Sequence, residues 1–458
     1  MAEEVKTKRR GMEVDRISKM PDAVVCHIMS FLPKEEAVNT SILSKRWKYL
    51  FASLTNLHFD YSSFSKTLNK GRRRRSSTSS SSNIISFISL VDRVLFLRIS
   101  SSIHSFYVNF REAIDLFRVT AWINTALLRN VQEIDLLVCL RESSVLPGDL
   151  CTSKTLVVLK LKFDPVPSLH GLDLVTMLNV PAKVCLPSLK HLHLDNVTFA
   201  DDNSIARLIS SCPVLEDLTL YCDWDNICKL SISSCSLKRF TVRTCCFYAA
   251  LDEILVHAPS LVYLDYADYL PVSCSLTNLD SLVEARIGFE KFSDNNASIT
   301  QFFKRISHVQ SLKLSFEVME AIQMCHHPLP VLGKLTHLEI RADVHTVALG
   351  LPHLLERCSN LEYLVFNGVG LFRGLVHSGD WNPPDVVPSC LLFHLKEIEI
   401  NFSWWEKELE FVKYCLQNGR VLMKLTIHAY TDEVDQLKIA KQLLMLPKGT
   451  RECQVIII

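Results

Sequence analysis

The sequence predicts an α/β solenoid, with short parallel strands stacked along a concave face and helices or loops returning along a convex face. A small all-α module precedes it. Three observations carry this reading. A leucine-centred pattern recurs through most of the chain at a nearly constant interval. Several segments between its recurrences have helical apolar spacing. A short proline-punctuated stretch near the N-terminus has a different periodicity from everything after it.

In chain order, residues 1–14 are polar and read as a disordered tail; the basic cluster at Lys6, Lys8, Arg9 and Arg10 is a solvated tail or a nuclear-import patch. Residues 17–51 read as three short helices. Pro21 suits a first helical turn, and Asp22 suits the positive end of the helix dipole. Val24, Val25, Ile28, Phe31 and Leu32 fall on one helical stripe, and Pro33 ends that helix. Lys34, Glu35 and Glu36 open a second short helix with Ala37 and Val38 as its apolar contacts. Ser44 is positioned to cap a third, running to Phe51. Such a unit is too small to bury a good core alone, so it is expected to present apolar surface to a partner.

Leu57 to Phe59 reads as a first strand. Residues 70–83 combine four arginines with a serine run and are expected to form a mobile loop, with an import signal or a phosphorylation site as sharper readings. The most apolar run, 84–99, is broken by Asp92 and Arg93 and falls short of the ~18 residues a membrane span needs. Residues 111–130 are expected to form an amphipathic helix with Ile114, Phe117, Ala121, Ile123, Leu127 and Leu128 on its apolar side.

The recurring unit is L-x-x-L-x-L with conservative replacements. It appears as Val131-Ile134-Leu136, Leu156-Leu159-Leu161, Leu189-Leu192-Leu194, Leu215-Leu218-Leu220, Leu237-Phe240-Val242 and Leu261-Leu264-Tyr266. It continues as Leu282-Ala285-Ile287, Val309-Leu312-Leu314, Leu335-Leu338-Ile340, Leu361-Leu364-Phe366, Leu395-Ile398-Ile400 and Leu422-Leu425-Ile427. The mean interval of about 26 residues lies inside the roughly 20–29 of leucine-rich repeats. Each unit is then one short strand and a return segment. Residues 204–211, 251–257, 299–307 and 349–357 read as return helices. Long intervals before Leu189 and Leu395 mark insertions.

The repeat phase names the residues facing outward on the concave side. Among them His191, His193, Tyr221, Arg239, Arg243, Tyr263, His337, Arg341 and Tyr363 are the candidate target-binding set. Mixed charge interleaved with tyrosine fits a protein epitope, whereas a stripe of one sign would fit nucleic acid. For any single residue, a plain solvated strand face is the alternative.

Composition narrows the function classes. The 458 residues have room for two or three domains, or for one domain and a repeat array. A net charge of +1 gives no global pull toward nucleic acid or membrane surface. Sixteen cysteines, scattered and without any C-x-x-C, fit buried thiols in a reducing compartment better than a disulfide framework or zinc site. The charged start lacks the apolar stretch of a signal peptide, so nucleus or cytoplasm is expected. Gly368-x-Gly370 departs from a phosphate-binding glycine motif at its third glycine and reads as a turn. Cys325-His326-His327 has no second ligand pair at metal-site spacing. No catalytic residue, metal ligand or cofactor is expected.

The order Met20-Pro21-Asp22, Ile28 to Pro33, Ala37-Val38 and Ser41 to Trp47 closely resembles the F-box of plant F-box proteins. Met20 stands where that family usually has leucine, and Ala23 where it has an acid. The segment from Trp381, with Pro388, Cys390, Leu395 to Ile398, Phe411 and Tyr414, resembles the FBD domain of plant F-box proteins with leucine-rich repeats. The Cys212-Pro213 and Cys358-Ser359 steps resemble the small buried closures of those repeats. The resemblance implies an F-box at 15–60, repeats at 111–380 and an FBD domain at 381–458. It also implies a non-catalytic substrate-recognition subunit of an SKP–cullin–F-box ubiquitin ligase. Its partners would be the SKP-type adaptor, through it a cullin–RING ligase, and an unknown protein target, with no nucleic acid or membrane. Met20, Pro21, Val24, Ile28, Leu32, Leu43 and Trp47 would contact the adaptor. A non-degradative scaffold and a small-molecule-sensing receptor remain as alternatives, the latter resting on Arg239 and Arg243.

Overall fold

Alternation of buried and outward residues, repeated in most strands, builds the fold seen in a computed structural model. It describes residues 19–31, 46, 50, 55–69, 78–96, 102–140, 148–164, 176–178, 180–244, 251–289, 296–325, 327–342, 350–367, 383–402, 405–429, 437, 440–443, 445–450 and 452–458. The chain divides into two units, Met1–Cys139 and Leu140–Ile458.

The first unit begins with helix α1 (Asp22–Phe31). Strand β1 (Asn56–Asp60) follows, then helices α2 (Tyr61–Asn69) and α3 (Thr78–Phe96), strand β2 (Ser105–Ile114), helix α4 (Leu116–Leu127) and strand β3 (Glu133–Leu140). β1 and β2 pair in parallel with Leu57 opposite Phe106 and Phe59 opposite Val108; β2 pairs in turn with β3. The core is aromatic. Phe87 of α3 stacks on Phe110 of β2 at 5.2 Å between ring centres, and Tyr61 and Phe64 meet Phe87 edge-on.

Two sequence expectations change here. The loop expected over 70–83 gives way to helix from Thr78, with Asn83 buried. Asn83, Phe87, Val91, Val94 and Leu95 recur at helical spacing and are all buried, so the apolar stripe of the following turns carries the helix back into the serines. The helix expected over 111–130 starts only after Asp115, whose carboxylate accepts from the Arg118 backbone N–H at 3.0 Å; residues 111–114 complete β2. That start sets the buried face of α4 as Val119, Trp122, Ile123 and Ala126. Phe117 points to solvent (84% exposed), as does Leu128, against the expected stripe. Asn130 ends the helix region in the left-handed conformation, which asparagine tolerates.

In the second unit, β4 (Val158–Phe163), β5 (Thr176–Leu178), β6 (His191–Phe199), α5 (Asp202–Ser210), β7 (Asp217–Asp223), β8 (Lys229–Ser233) and β9 (Arg239–Thr244) come first. β10 (Glu253–His257), β11 (Tyr263–Asp268), β12 (Ser273–Thr277), β13 (Glu284–Phe289), α6 (Asn296–Arg305), β14 (Ser311–Ser315) and α7 (Phe316–Met324) follow. The unit closes with β15 (His337–Arg341), α8 (Leu351–Leu355), β16 (Tyr363–Asn367), α9 (Ser389–Phe393), β17 (Glu397–Phe402), α10 (Trp405–Asn418), β18 (Lys424–Ala429) and β19 (Gln454–Ile457). The main sheet runs β4-β6-β7-β9-β11-β13-β14-β15-β16-β17-β18-β19, with β5 on β6, and its registered pairs are parallel. The three apolar residues of all twelve motifs are buried. Their equivalents stack in register, as Leu218, Phe240 and Leu264 do, so each repeat closes the hydrophobic face of its neighbour.

The return side is less regular than expected. Residues 204–211, 299–307 and 349–357 overlap α5, α6 and α8. Residues 251–257 contain a strand, β10, which pairs in parallel with β8 and β12 in a second, three-stranded sheet. Leu230, Ile232, Ile254, Val256 and Leu276 are its buried residues, and their alternation with outward Ser231, Leu255 and Ser275 is a strand period. Asp202 on α5 accepts from the backbone N–H groups of Cys228 and Lys229 at 2.8 and 3.2 Å, tying the helix to the start of β8. The insertion before Leu189 supplies β5. Beside it, Asn196 adopts a positive φ of 59° at a bulge in β6, and its amide donates to the Phe163 carbonyl at 2.8 Å. Cys212 and Cys358 are buried, and their thiols donate to the Leu208 and Leu354 carbonyls one helical turn back, both at 3.1 Å.

Candidate functional site

Two surfaces follow from this architecture. The first is α1. The Pro21 carbonyl accepts from Val24 and Val25, which sets the start of the helix. Val25 and Met29 are buried, one turn apart, so the stripe expected to hold Val24, Val25 and Ile28 together is split. Val24 and Ile28, also one turn apart, remain 43% and 40% exposed on another face. Met20 is half-buried and Pro21 exposed. Arg46 donates from Nε and Nη2 to Asp22 Oδ1 at 2.8 and 2.6 Å, and also to the Met20 carbonyl, so it fastens the residues that begin the helix. Leu32, Leu43 and Trp47 lie outside the described residues. The surface therefore offers two adjacent β-branched side chains and a proline, suited to a hydrophobic contact.

The second surface is the outward face of the main sheet. Parallel register orders it into three rows. The first runs His191, Asp217, Arg239, Tyr263, Glu284, Ser311, His337, Tyr363, Glu397, Lys424. The second includes His193, Thr219, Thr241, Asp265, Arg286, Lys313 and Glu339. The third includes Asp195, Tyr221, Arg243, Ala267 and Gly288, then Ser315 and Arg341 on β14 and β15. The candidate residues thus fall at five points of the first row, one of the second and three of the third.

Neighbours in a row engage each other. The Arg239 guanidinium lies 4.1 Å from the centre of the Tyr263 ring, and its Nε is 3.6 Å from Asp217. His337 stacks on Tyr363 at 4.4 Å between ring centres, and Thr336 Oγ1 lies 2.8 Å from its Nδ1. Burial, with Asp265 and Glu284 adding to it, holds the Tyr263 hydroxyl above the usual phenol range. His193 is half-buried, 3.8 Å from Asp195, whereas His191 is exposed. Asp265 stands in an outward phase of the repeat and yet is only 4% exposed beneath Arg243 and Tyr263. Further along, Asn401 donates to Asn367, which donates to Glu339 at 2.6 Å, and His428 lies 3.1 Å from Glu399. These asparagines and His428 were not among the candidates. They stand opposite one another on β16, β17 and β18, so following the register over successive repeats finds them.

Among the described residues, no group of three or more His, Cys, Asp or Glu side chains is placed to hold a metal ion, and no helix is long and apolar enough to cross a membrane. Rows of polar and aromatic side chains on a sheet, and an exposed apolar helix face elsewhere in the chain, have the chemistry that binding surfaces use.

Fold and surfaces together define a leucine-rich-repeat protein of α/β solenoid class with a small helical module at its N-terminus. Residues 17–59 match the F-box domain, residues 119–277 the LRR repeats described for FBD-associated F-box protein At5g56370, and residues 382–427 the FBD. The chain is 34% identical over 446 residues to F-box/LRR-repeat protein At4g14096 of Arabidopsis thaliana, covering 92% of this chain and 90% of that one. It is 34% identical over 485 residues to F-box/LRR-repeat protein At3g59200 of the same plant, covering 97% and 88%. With F-box/LRR-repeat protein At4g14103, also from Arabidopsis thaliana, it shares 34% over 394 residues, covering 81% and 95%. The chain belongs to the plant family of F-box proteins with leucine-rich repeats and an FBD.

Proposed function

We propose that this chain is the target-recognition subunit of an SKP–cullin–F-box ubiquitin ligase. The F-box end docks the SKP-type adaptor through Pro21, Val24 and Ile28, joined by Met20, Leu32, Leu43 and Trp47. The outward face of the main sheet receives a target protein. The chain does no chemistry itself; it raises the local concentration of the target near a ubiquitin donor held elsewhere in the assembly. The observation that supports this best is the exposed Val24–Ile28 pair inside the segment matching the F-box domain. Covering what remains exposed of the two, 43% and 40%, is worth on the order of 1 kcal/mol each, a fraction of the roughly 1.5–3 kcal/mol of burying a whole side chain.

Co-purification of the full chain with a plant SKP-type adaptor tests it. Val24→Asp with Ile28→Asp is expected to abolish co-purification while the thermal unfolding of the repeat unit stays unchanged. Retention of the adaptor by that variant removes the proposal. A degradative role further requires that targets held by the chain accumulate when the proteasome is inhibited.

A further inference from the structure

Charge pairing on the sheet face is uneven, and the imbalance is local. Carboxylates along the rows are engaged: Asp217 with Arg239, Glu284 and Glu339 with Lys313 at 3.8 and 3.2 Å, Glu397 with Lys424 and Glu399 with His428. Arg243 reaches the buried Asp265. Arg286 on β13 and Arg341 on β15 have no carboxylate within ion-pair distance among the described residues, and the neighbouring acids are already held: Asp265, opposite Arg286 in the second row, by Arg243, and Glu284 and Glu339, two residues before the arginines on their own strands, by Lys313. The Arg341 side chain is exposed and Arg286 half-exposed.

Between Arg243 on β9 and Arg341 on β15 the third row has small side chains, Ala267, Gly288 and Ser315, so the sheet floor there is low. A Cβ at Gly288 would lie 3.6 Å from both the Ala267 and Ser315 Cβ atoms, in ordinary contact, so the low floor comes from side-chain size rather than from crowding. The Ser315 hydroxyl lies there without a hydrogen-bond partner among the described residues.

We infer that the target segment received by this face is acidic, an extended stretch of aspartate or glutamate side chains that pairs with Arg286 and Arg341 and lies over Ala267, Gly288 and Ser315. The inference rests on the sheet face being the target site. Arg243 and Arg341 are four strand steps apart, roughly 19 Å at the usual inter-strand spacing, and an extended peptide covers that distance in about six residues. Guanidinium–carboxylate pairs in a forked geometry would supply both attraction and orientation.

The test uses the full chain and fluorescein-labelled Gly/Ser peptides carrying glutamates across a stretch of about six residues, beside the same peptides with glutamine, read by fluorescence polarisation. The glutamate peptide is expected to bind at least about tenfold more tightly than the glutamine peptide, with affinity falling as salt rises. Arg286→Glu with Arg341→Glu should abolish the difference. Gly288→Glu, which places a carboxylate on the floor with room for its Cβ, should do the same, while Lys162→Glu on β4 should not. Equal binding of the two peptides, or stronger binding of a single-stranded oligonucleotide, overturns the inference. In cells, if Tyr263→Ala with Tyr363→Ala loses the proteins held by the chain while the arginine reversals do not, the inference fails and the face remains the target site. If neither set matters, both readings fail.

Discussion

Arg243 on β9 closes a 2.6 Å ion pair on Asp265 of the next strand, and that carboxylate is almost wholly removed from water. Tyr263 Oη, 3.4 Å away, adds only a long hydrogen bond. The pair is asymmetric: the arginine side chain keeps 39% of its surface in solvent while the aspartate keeps 6%. Removing the cation therefore strands a buried charge, whereas removing the acid leaves a solvated one. Arg243→Met is expected to lower stability by about 2–3 kcal/mol, less than the 3–5 of a fully buried pair because water still reaches the arginine. Arg243→Met with Asp265→Asn should recover most of the loss. Urea denaturation of the two variants measures both; equal losses would show that the buried charge is not the cause.

Asp92 interrupts the most apolar run of the chain, and its reason lies on α4. Trp122 Nε1 donates to Asp92 Oδ1 at 2.7 Å, and Arg118, one turn earlier, donates to Oδ2. The Trp122 ring is buried, so the indole N–H needs this acceptor. Asp92→Leu would make the α3 segment more apolar and yet is expected to cost about 1–3 kcal/mol, the penalty of a buried donor without a partner. Asp92→Asn keeps an oxygen acceptor and should cost less. Thermal unfolding that ranks the leucine variant above the asparagine variant would contradict this.

The buried thiols predict an alkaline limit. Burial pushes Cys151 and Cys390 up to about 11 and Cys212 and Cys274 up to about 12. In the unfolded chain each ionises near 9. Between those values the unfolded chain has released a proton that the folded chain still holds, so unfolding gains as pH rises. The stability these thiols contribute is complete below pH 9 and is lost on the way to 11–12. Each thiol in that window costs about 1.4 kcal/mol per pH unit. The urea midpoint should therefore fall between pH 8.5 and about 10.5, and the fall should be shallower in Cys212→Ala. A variant that follows the parent slope would remove Cys212 from this account.

Particular residues show where the sequence was readable. Leu215, Leu218 and Leu220 and their counterparts were legible because three buried side chains at fixed offsets recur in each repeat, and a parallel register carries a phase from one strand to the next. Ile103, Phe106 and Val108 carry the same offsets in β2 but without leucine, so that strand was read partly as helix. The outward rows followed from the phase, except Asp265, whose burial depends on how Arg243 and Tyr263 fold over it, a side-chain matter that strand alternation does not encode. On α1 the stripe argument grouped Val24 with Val25, although adjacent residues point 100° apart on a helix; Met29, not Val24, shares the buried face. That the acids beside Arg286 and Arg341 are held by other cations is a matter of neighbours' neighbours, and only the register of β11 to β15 reveals it.

β10 was the clearest misreading, and it is also testable. A short apolar run can satisfy a helical or a strand period, and residues 251–257, with Ile254, Leu255 and Val256, read as a return helix in the sequence. In the structure β10 is the middle strand of three, hydrogen-bonded to β8 on one side and β12 on the other, with Ile254 and Val256 buried and Leu255 facing out between Ser231 and Ser275. A central strand tolerates β-branched residues and rejects proline, which removes a ladder donor. Leu255→Thr is therefore expected to change stability by less than about 0.5 kcal/mol, the range of ordinary surface substitutions. Leu255→Pro should cost about 3 kcal/mol or more. The decisive measurement is amide hydrogen exchange. In the parent, the amides of 229–233 and 273–277 should be protected through β10, and in the proline variant both flanking strands should lose protection together while β13 to β16 keep theirs. A helix at 251–257 would instead leave those two strands unaffected by the substitution.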